Sequence, residues 1–132
     1  MSSFPPAKNK GFTLVEILFV VAIIALLAAL AMPNFMRARK RTQAVQILED
    51  LRMLDHAIDN YALDTSKPAG FHPLIGDLTN YMKANTRLYN TNCDLFGDTY
   101  GPFTVDSVPI VSNTAFNALS DVTDGSFWSP YH

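Results

Sequence analysis

One long apolar stretch dominates the first third of the chain. Positions 17–32 are sixteen consecutive apolar residues, and counting back to Phe12 gives twenty-one, interrupted only by Thr13 and Glu16. That length is sufficient for a helix to span a bilayer. Pro33 falls where the stretch stops, and a proline in a continuing helix predicts a kink. The pattern therefore predicts a transmembrane helix from Phe12 to Pro33 that carries a carboxylate near its start.

Beyond the apolar stretch the pattern changes to a helical stripe. Its apolar positions are spaced by 4, 3, 4 and 3 residues, at Ile47, Leu51, Leu54, Ile58 and Tyr61. Polar residues fall on the other side, and no Gly or Pro interrupts positions 35–66. One helix through both patterns would be about 75 Å long at 1.5 Å per residue, more than a bilayer needs. We therefore expect residues 34–66 to continue the helix and to bury their apolar face.

Residues 67–132 have a different composition, because Pro and Gly punctuate short segments. The pattern predicts a short helix over 77–84 capped by Asp77, and another that begins after a cap at Ser112. Two short strands are expected around a turn near Asp106 and Ser107. The resulting fold class is α+β: a long N-terminal helix, half membrane and half amphipathic, packed by a small C-terminal antiparallel β-sheet.

The net charge of −2 hides a strong asymmetry along the chain. Four basic residues form a collar just after the apolar stretch: Arg37, Arg39, Lys40 and Arg41. From Thr42 onward, four basic residues face eleven acidic ones, so this part has a formal charge of 4 − 11 = −7. Nucleic-acid binding depends on clustered Lys and Arg, so the acidic balance argues against a nucleic-acid partner. The collar is better explained as an anchor beside a membrane.

No enzyme constellation is present. The sequence contains no HExxH, GxSxG, Walker or GxGxxG motif, and its histidines are isolated. His56 lies between Asp55 and Asp59 and is expected on a solvated polar face. The lone Cys93 allows no intramolecular disulfide and is best read as a small, partly buried residue. We therefore expect neither catalysis nor a cofactor.

From the residues alone, three explanations of the apolar stretch stay open. The first is a plain single-pass anchor, and the second is a secretory signal with a small-x-small cleavage site at Ala29-Leu30-Ala31. The third explanation is a more specialised helix, which accounts for Glu16 at its head. The basic residues, two before the stretch and four after it, taken alone favour a cytoplasmic C-terminal region.

The stretch from Lys8 to Pro33 closely resembles the processing motif of type IV pilins and type II secretion pseudopilins. A basic leader is followed by Gly-Phe-Thr-Leu-Val-Glu and an apolar helix, all in register. The resemblance implies that a prepilin peptidase cleaves between Gly11 and Phe12 and methylates the new amine of Phe12. Glu16 then becomes the fifth mature residue, and Pro33 the twenty-second, where many members of the family carry a helix-kinking proline.

The resemblance also implies organisation and location. Residues 1–11 would be a leader removed on processing, 12–33 the filament-core helix, 34–66 its amphipathic continuation, and 67–132 a small β-rich region. The precursor would cross the bacterial inner membrane once, with its N-terminus cytoplasmic and residues 67–132 periplasmic, against the simple charge count. Its partners would be copies of itself and related subunits, the peptidase, an inner-membrane assembly platform and membrane lipid.

We therefore expect a structural filament subunit in which the Glu16 carboxylate pairs with the amine of Phe12 in a neighbouring copy. The alternative is a membrane-anchored or secreted periplasmic binding domain that does not polymerise. A weaker likeness to pseudopilins covers residues 94–100. The sequence has no C-terminal cysteine pair such as type IV pilins carry, and this favours a pseudopilin or pilin-like subunit. Major pseudopilins have a loop calcium site, to which Asp121 and Asp124 are candidate contributors, although turn-forming aspartates explain both residues as well.

Overall fold

The fold is dominated by one long helix. A computed structural model describes residues 11–132, and in it helix α1 extends over Leu14–Thr65, 52 residues with Pro33 inside. The predicted long helix is therefore confirmed. It is long and apolar enough, by length and composition, to cross a membrane. The chain divides into two compact units, Met1–Met36 and Arg37–His132.

Within the first unit, every described side chain is exposed. The exposed side chains include Phe12, Leu14, Phe19 and Leu30, each at least 65% accessible. A helix that is apolar on all sides must be covered by lipid or by other helices, because water does not solvate such a surface favourably. The leader prediction falls almost entirely on residues 1–10, outside the described residues.

The second unit has one hydrophobic core, built on the predicted stripe. Ile47, Leu51, Leu54 and Ile58 are at most 1% exposed, and Tyr61 is 8% exposed. The stripe packs in a cluster with residues from the rest of the unit, among them Leu78, Leu88, Val111, Leu119 and Trp128. Trp128 is the largest fully buried side chain. The stripe at positions 47–61 is therefore the buried face of α1, as its spacing predicted.

Three short α-helices follow α1: α2 over Ile75–Leu78, α3 over Arg87–Thr91 and α4 over Asn113–Ala118. A 3-10 helix, Thr79–Tyr81, continues directly from α2. Ser112 caps α4 as predicted, since its hydroxyl oxygen accepts a hydrogen bond from the amide of Ala115 at 3.1 Å.

The expected helix over 77–84 needs correction at both ends. It begins earlier, at Ile75, and the 3-10 continuation ends at Tyr81. Leu74, not Asp77, precedes the helix, and the Asp77 carboxylate accepts a hydrogen bond from the Leu74 amide at 2.9 Å. Asp77 therefore acts from the third helical position, as the acidic member of a capping box does.

The predicted antiparallel sheet is not confirmed. Among residues 11–132 no β-strand forms, and the pairing reduces to an isolated antiparallel bridge between Cys93 and Thr99. The turn near Asp106 is present, with a left-handed φ of 63° at that residue. Its flanking segments contain Pro102 and Pro109, which lack the N–H that a ladder requires.

The extended segments are instead held by single hydrogen bonds. The amide of Gly70 donates to the carbonyl of Val105 at 3.1 Å, and the amide of Val105 donates to the carbonyl of Phe71 at 2.9 Å. Farther along, the amide of Val111 donates to the carbonyl of Tyr131 at 2.8 Å. These bonds satisfy buried backbone groups without extending into a sheet.

Candidate functional site

The start of α1 is fixed by a reciprocal pair of hydrogen bonds. The amide of Glu16 donates to Oγ1 of Thr13 at 3.2 Å, and the amide of Thr13 donates to Oε2 of Glu16 at 3.4 Å. Thr13 immediately precedes α1, so the two residues form a capping box. The carboxylate also lies in the first turn, where the helix dipole favours a negative charge. Glu16 therefore has a partner within its own chain.

Sequence reasoning placed Glu16 near the first turn but missed this partner. The signal was present, because Thr13-Leu14-Val15-Glu16 follows the S/T-x-x-E pattern that precedes an apolar helix. The capping box gives Glu16 a local role beside the expected one. Any test of the assembly role has to separate the two.

Gly11 and Phe12 lie before α1 in non-helical, exposed backbone. A Cβ built on Gly11 would meet no atom within 4 Å, and its φ lies outside the left-handed region. Neither space nor backbone conformation requires glycine here. Phe12 is 81% exposed. The bond between them is therefore accessible, and a requirement for glycine at position 11 would have to come from a partner that reads this segment.

Pro33 lies inside α1. Because proline has no amide hydrogen, α1 lacks the bond that would join residue 33 to the carbonyl of Ala29. The predicted kink at Pro33 stays a prediction.

A second group of polar residues ties the loop at 93–100 to α1. Asp94 is 4% exposed. One carboxylate oxygen accepts from the amides of Phe96 at 2.8 Å and Asp98 at 3.0 Å, and the other accepts from the Ser112 hydroxyl at 2.6 Å. Gly97 closes the loop with a φ of +91°, which disfavours any other residue. The Asp94 side chain thus organises this loop. From the sequence, the loop showed only a weak likeness to pseudopilins over residues 94–100.

The connection to α1 passes through Asp50. Its carboxylate binds the Arg87 guanidinium and accepts a hydrogen bond from the Tyr100 hydroxyl at 3.3 Å. Arg87 also donates to the carbonyl of Cys93. Asp50 and Arg87 are 37 positions apart, so sequence periodicity gave no indication of this pair.

Burial raises the pKa of the Asp50 carboxyl above its ordinary value of 3.8, and this effect outweighs the opposing attraction of Arg87. A carboxyl with a raised folded-state pKa stabilises the fold fully below its unfolded-state pKa, and this contribution is lost as pH rises through the folded-state pKa. In the unaltered chain, we expect the free energy of unfolding to decrease as the pH is raised from about 3.8, because Asp50 then loses its proton. The Asp50→Asn chain has no carboxyl at this position and should not show that decrease.

The measurement is chemical unfolding of the full chain in detergent micelles across a pH series, followed by near-UV circular dichroism of Trp128. Glu49→Gln is the matched control, since Glu49 is adjacent and exposed, and its one ion pair within residues 11–132 is with Arg52 at 2.9 Å. Its pH profile should match that of the unaltered chain. An Asp50→Asn profile parallel to the unaltered one would contradict the prediction.

The candidate calcium ligands have other partners. Both carboxylate oxygens of Asp121 accept from Lys40 Nζ at 2.9 Å, and this contact lowers the pKa of Asp121. Asp124 accepts from the Ser126 hydroxyl at 2.7 Å and from the Phe127 amide at 3.0 Å, as turn-forming aspartates do. Over residues 11–132, no three His, Cys, Asp or Glu side chains are grouped to hold a metal ion. The turn explanation therefore has observed contacts at Asp124, whereas the carboxylate of Asp121 is paired with Lys40.

Comparison with known proteins supports the resemblance of the N-terminal segment to pilins and pseudopilins. A family model described as the prokaryotic N-terminal methylation motif matches residues 6–32. The chain is 32% identical to the type IV major pilin protein PilA of Myxococcus xanthus (strain DK1622), over 93% of this chain and 59% of the relative. It is 38% identical to type II secretion system core protein G of Klebsiella pneumoniae, over 46% of this chain and 43% of the relative.

The corresponding core protein G of Escherichia coli (strain K12) is 40% identical over 43% of this chain and 39% of the relative. The chain thus spans between 39% and 59% of the length of these curated relatives. No solved structure matches it. The chain therefore carries an N-terminal methylation motif, and it is similar in sequence to a type IV major pilin and to type II secretion system core proteins G.

Proposed function

We propose that the chain is a structural subunit, pseudopilin or pilin-like, of a filament of the type II secretion or type IV pilus type. It is cleaved between Gly11 and Phe12, methylated at Phe12 and polymerised through α1. The observation that carries the proposal is the methylation motif over residues 6–32, which includes the exposed apolar part of α1 from Leu14 onward. The role is structural and not enzymatic, in keeping with the pilin and core protein G relatives.

The exposed surface of α1 supports assembly through this helix. Among residues 11–36 every side chain of its apolar half is exposed, so either lipid or neighbouring helices must enclose it. Cleavage would create an α-amine at Phe12 that is largely protonated near neutral pH. Between parallel helices with an axial offset, this amine of one copy meets the Glu16 carboxylate of the next, and pairing removes an isolated charge from an apolar environment.

The proposed organisation follows from the motif. Residues 1–11 form the leader, 12–33 the filament-core helix kinked at Pro33, 34–66 its continuation and 67–132 the periplasmic part. The precursor spans the bacterial inner membrane once with its leader in the cytoplasm, and it meets a prepilin peptidase and an assembly platform there. The family motif supports this orientation although more basic residues follow the apolar stretch than precede it.

Terminal sequencing and mass spectrometry of the purified chain test the processing step. We expect a mature N-terminus at methylated Phe12, and we expect Gly11→Val to accumulate as uncleaved precursor because a branched side chain obstructs access to the bond. Gly76→Val is the matched control, since a Cβ there also meets nothing within 4 Å. It should be processed normally.

Two results would contradict the proposal. A chain that starts at Met1 would indicate a plain anchor, and one that starts at Met32 would indicate a signal peptide. Either would favour a binding domain that does not polymerise.

A further inference from the structure

The outer half of α1 is electrically polarised along its axis. Its proximal end carries the basic collar, and three of these side chains, Arg37, Arg39 and Arg41, are exposed and make no salt bridge within residues 11–132. Lys40 is different, because it binds Asp121. The distal end of α1, positions 53–65, has three aspartates and no Lys or Arg. One end of the helix therefore presents guanidinium groups and the other end presents carboxylates.

A groove lies beside the distal end. It has a volume of about 290 Å³ and is lined by Asp59, Ala62, Leu63, Lys67, Val105 and Asp106. Leu63 is 80% exposed, and both aspartates of the lining are exposed. The Lys67 ammonium lies over the Phe71 ring, 4.6 Å from its centroid. The groove thus combines an apolar side chain with two carboxylates, a surface that suits the long aliphatic stem and charged head of an arginine.

The spacing of the charges matches a repeat of the helix. Arg41 and Asp59 are eighteen positions apart, and eighteen residues make five turns at 3.6 residues per turn. The two residues therefore lie on one face of α1, about 27 Å apart along its axis. The same interval joins Arg37 to Asp55. A single axial offset between parallel copies brings both arginines of one copy level with both aspartates of the other.

We propose that the groove at Asp59 and Asp106 receives the collar of a second copy of this chain, with Arg41 of one copy against Asp59 of a copy displaced by about 27 Å along the axis. The pairing of Phe12 with Glu16 needs an offset of only about 6 Å, so it joins a different pair of copies. The contact joins two different surfaces, so each copy offers a free collar and a free groove, and repetition extends an open filament. It would set the axial register between copies outside the membrane. The inference rests on the proposed function, since it requires parallel copies.

Cysteine cross-linking in cells that assemble the filament tests the contact. The full chain carries Arg41→Cys and Asp59→Cys in a Cys93→Ser background, and a mild oxidant is added. A disulfide requires Cα atoms within about 7 Å, so the two positions of one α1 cannot bridge and any bond must join separate copies. We expect a ladder of covalent multimers, because head-to-tail contact links each copy to two neighbours.

The matched control carries Arg41→Cys and Glu49→Cys, exposed positions only eight residues apart, again too far for a bond within one helix. It should give no ladder. Charge exchange is the second measurement: Arg41→Asp and Asp59→Arg should each lower the yield of sheared filaments about tenfold, and the double exchange should restore it.

The outcomes distinguish the two proposals when filaments and methylated Phe12 are measured in parallel. Filaments with a ladder at 41/59 and none at 41/49 support the contact. Filaments with no ladder, with equal ladders, or with dimers alone overturn it and leave the proposed function intact. A processed chain that forms no filaments overturns both.

Discussion

Replacing Glu16 with glutamine is expected to abolish filament assembly while leaving cleavage after Gly11 unchanged. Glutamine at this position keeps the capping box, because its amide oxygen still accepts from the Thr13 amide. It carries no charge, so it cannot form an ion pair with the protonated amine of Phe12 in a neighbouring copy. The yield of sheared filaments and the mass of the mature N-terminus measure the two steps separately.

The control removes the capping box and keeps the charge. Thr13→Val deletes the hydroxyl that accepts from the Glu16 amide, and the loss of such a cap weakens a helix start by about 1 kcal/mol. We expect this variant to assemble, because helix packing in the filament exceeds that loss. If Glu16→Gln assembled as well as the unaltered chain while Thr13→Val failed, Glu16 would serve the helix start and the pairing role would be wrong.

Asp94→Ala is expected to destabilise the Arg37–His132 unit by about 3–5 kcal/mol, a large share of the stability of a small domain. The substitution removes the acceptor of three hydrogen bonds at a site that is 4% exposed. The amides of Phe96 and Asp98 and the hydroxyl of Ser112 then lose their charged partner. Urea unfolding of the full chain in detergent micelles, followed by near-UV circular dichroism of Trp128, gives the change.

Asp98→Ala is the matched control in the same loop. The Asp98 side chain makes no hydrogen bond or salt bridge within the described part of the chain, although its backbone amide donates to Asp94. Its truncation should change the free energy of unfolding by about 0.5 kcal/mol or less. Equal losses for the two variants would mean that Asp94 does not organise the loop.

Sequence reasoning succeeded where the signal was local and periodic. The stripe from Ile47 to Tyr61 predicted the buried face of α1, because helical spacing determines which residues share a side. The cap at Ser112 was found for the same reason. Both features depend on residues within a few positions of one another.

It failed where distant segments decide the structure. The short apolar runs around Asp106 suggested strands, but Pro102 and Pro109 interrupt any ladder. Three of the pairs that join the rest of the chain to α1 span 37, 76 and 81 positions: Asp50 with Arg87, Asp55 with Tyr131, and Lys40 with Asp121. No pattern along the sequence links such partners, so they had to be observed in the fold. At the candidate site, the residues were found from the motif, and the bond between Thr13 and Glu16 was missed.

The capping box changes the energetics of subunit exchange. The Glu16 carboxylate of a single subunit is not without a hydrogen-bond partner, because it already accepts a hydrogen bond from the Thr13 amide. Entry into a filament would then replace one partner of the carboxylate by another, and departure would restore the first. The difference in free energy between the single and the polymerised subunit is therefore smaller than it would be if the Glu16 carboxylate were unpaired in the single subunit. In the proposed filament, a reservoir of such subunits would supply growth and take back subunits on disassembly.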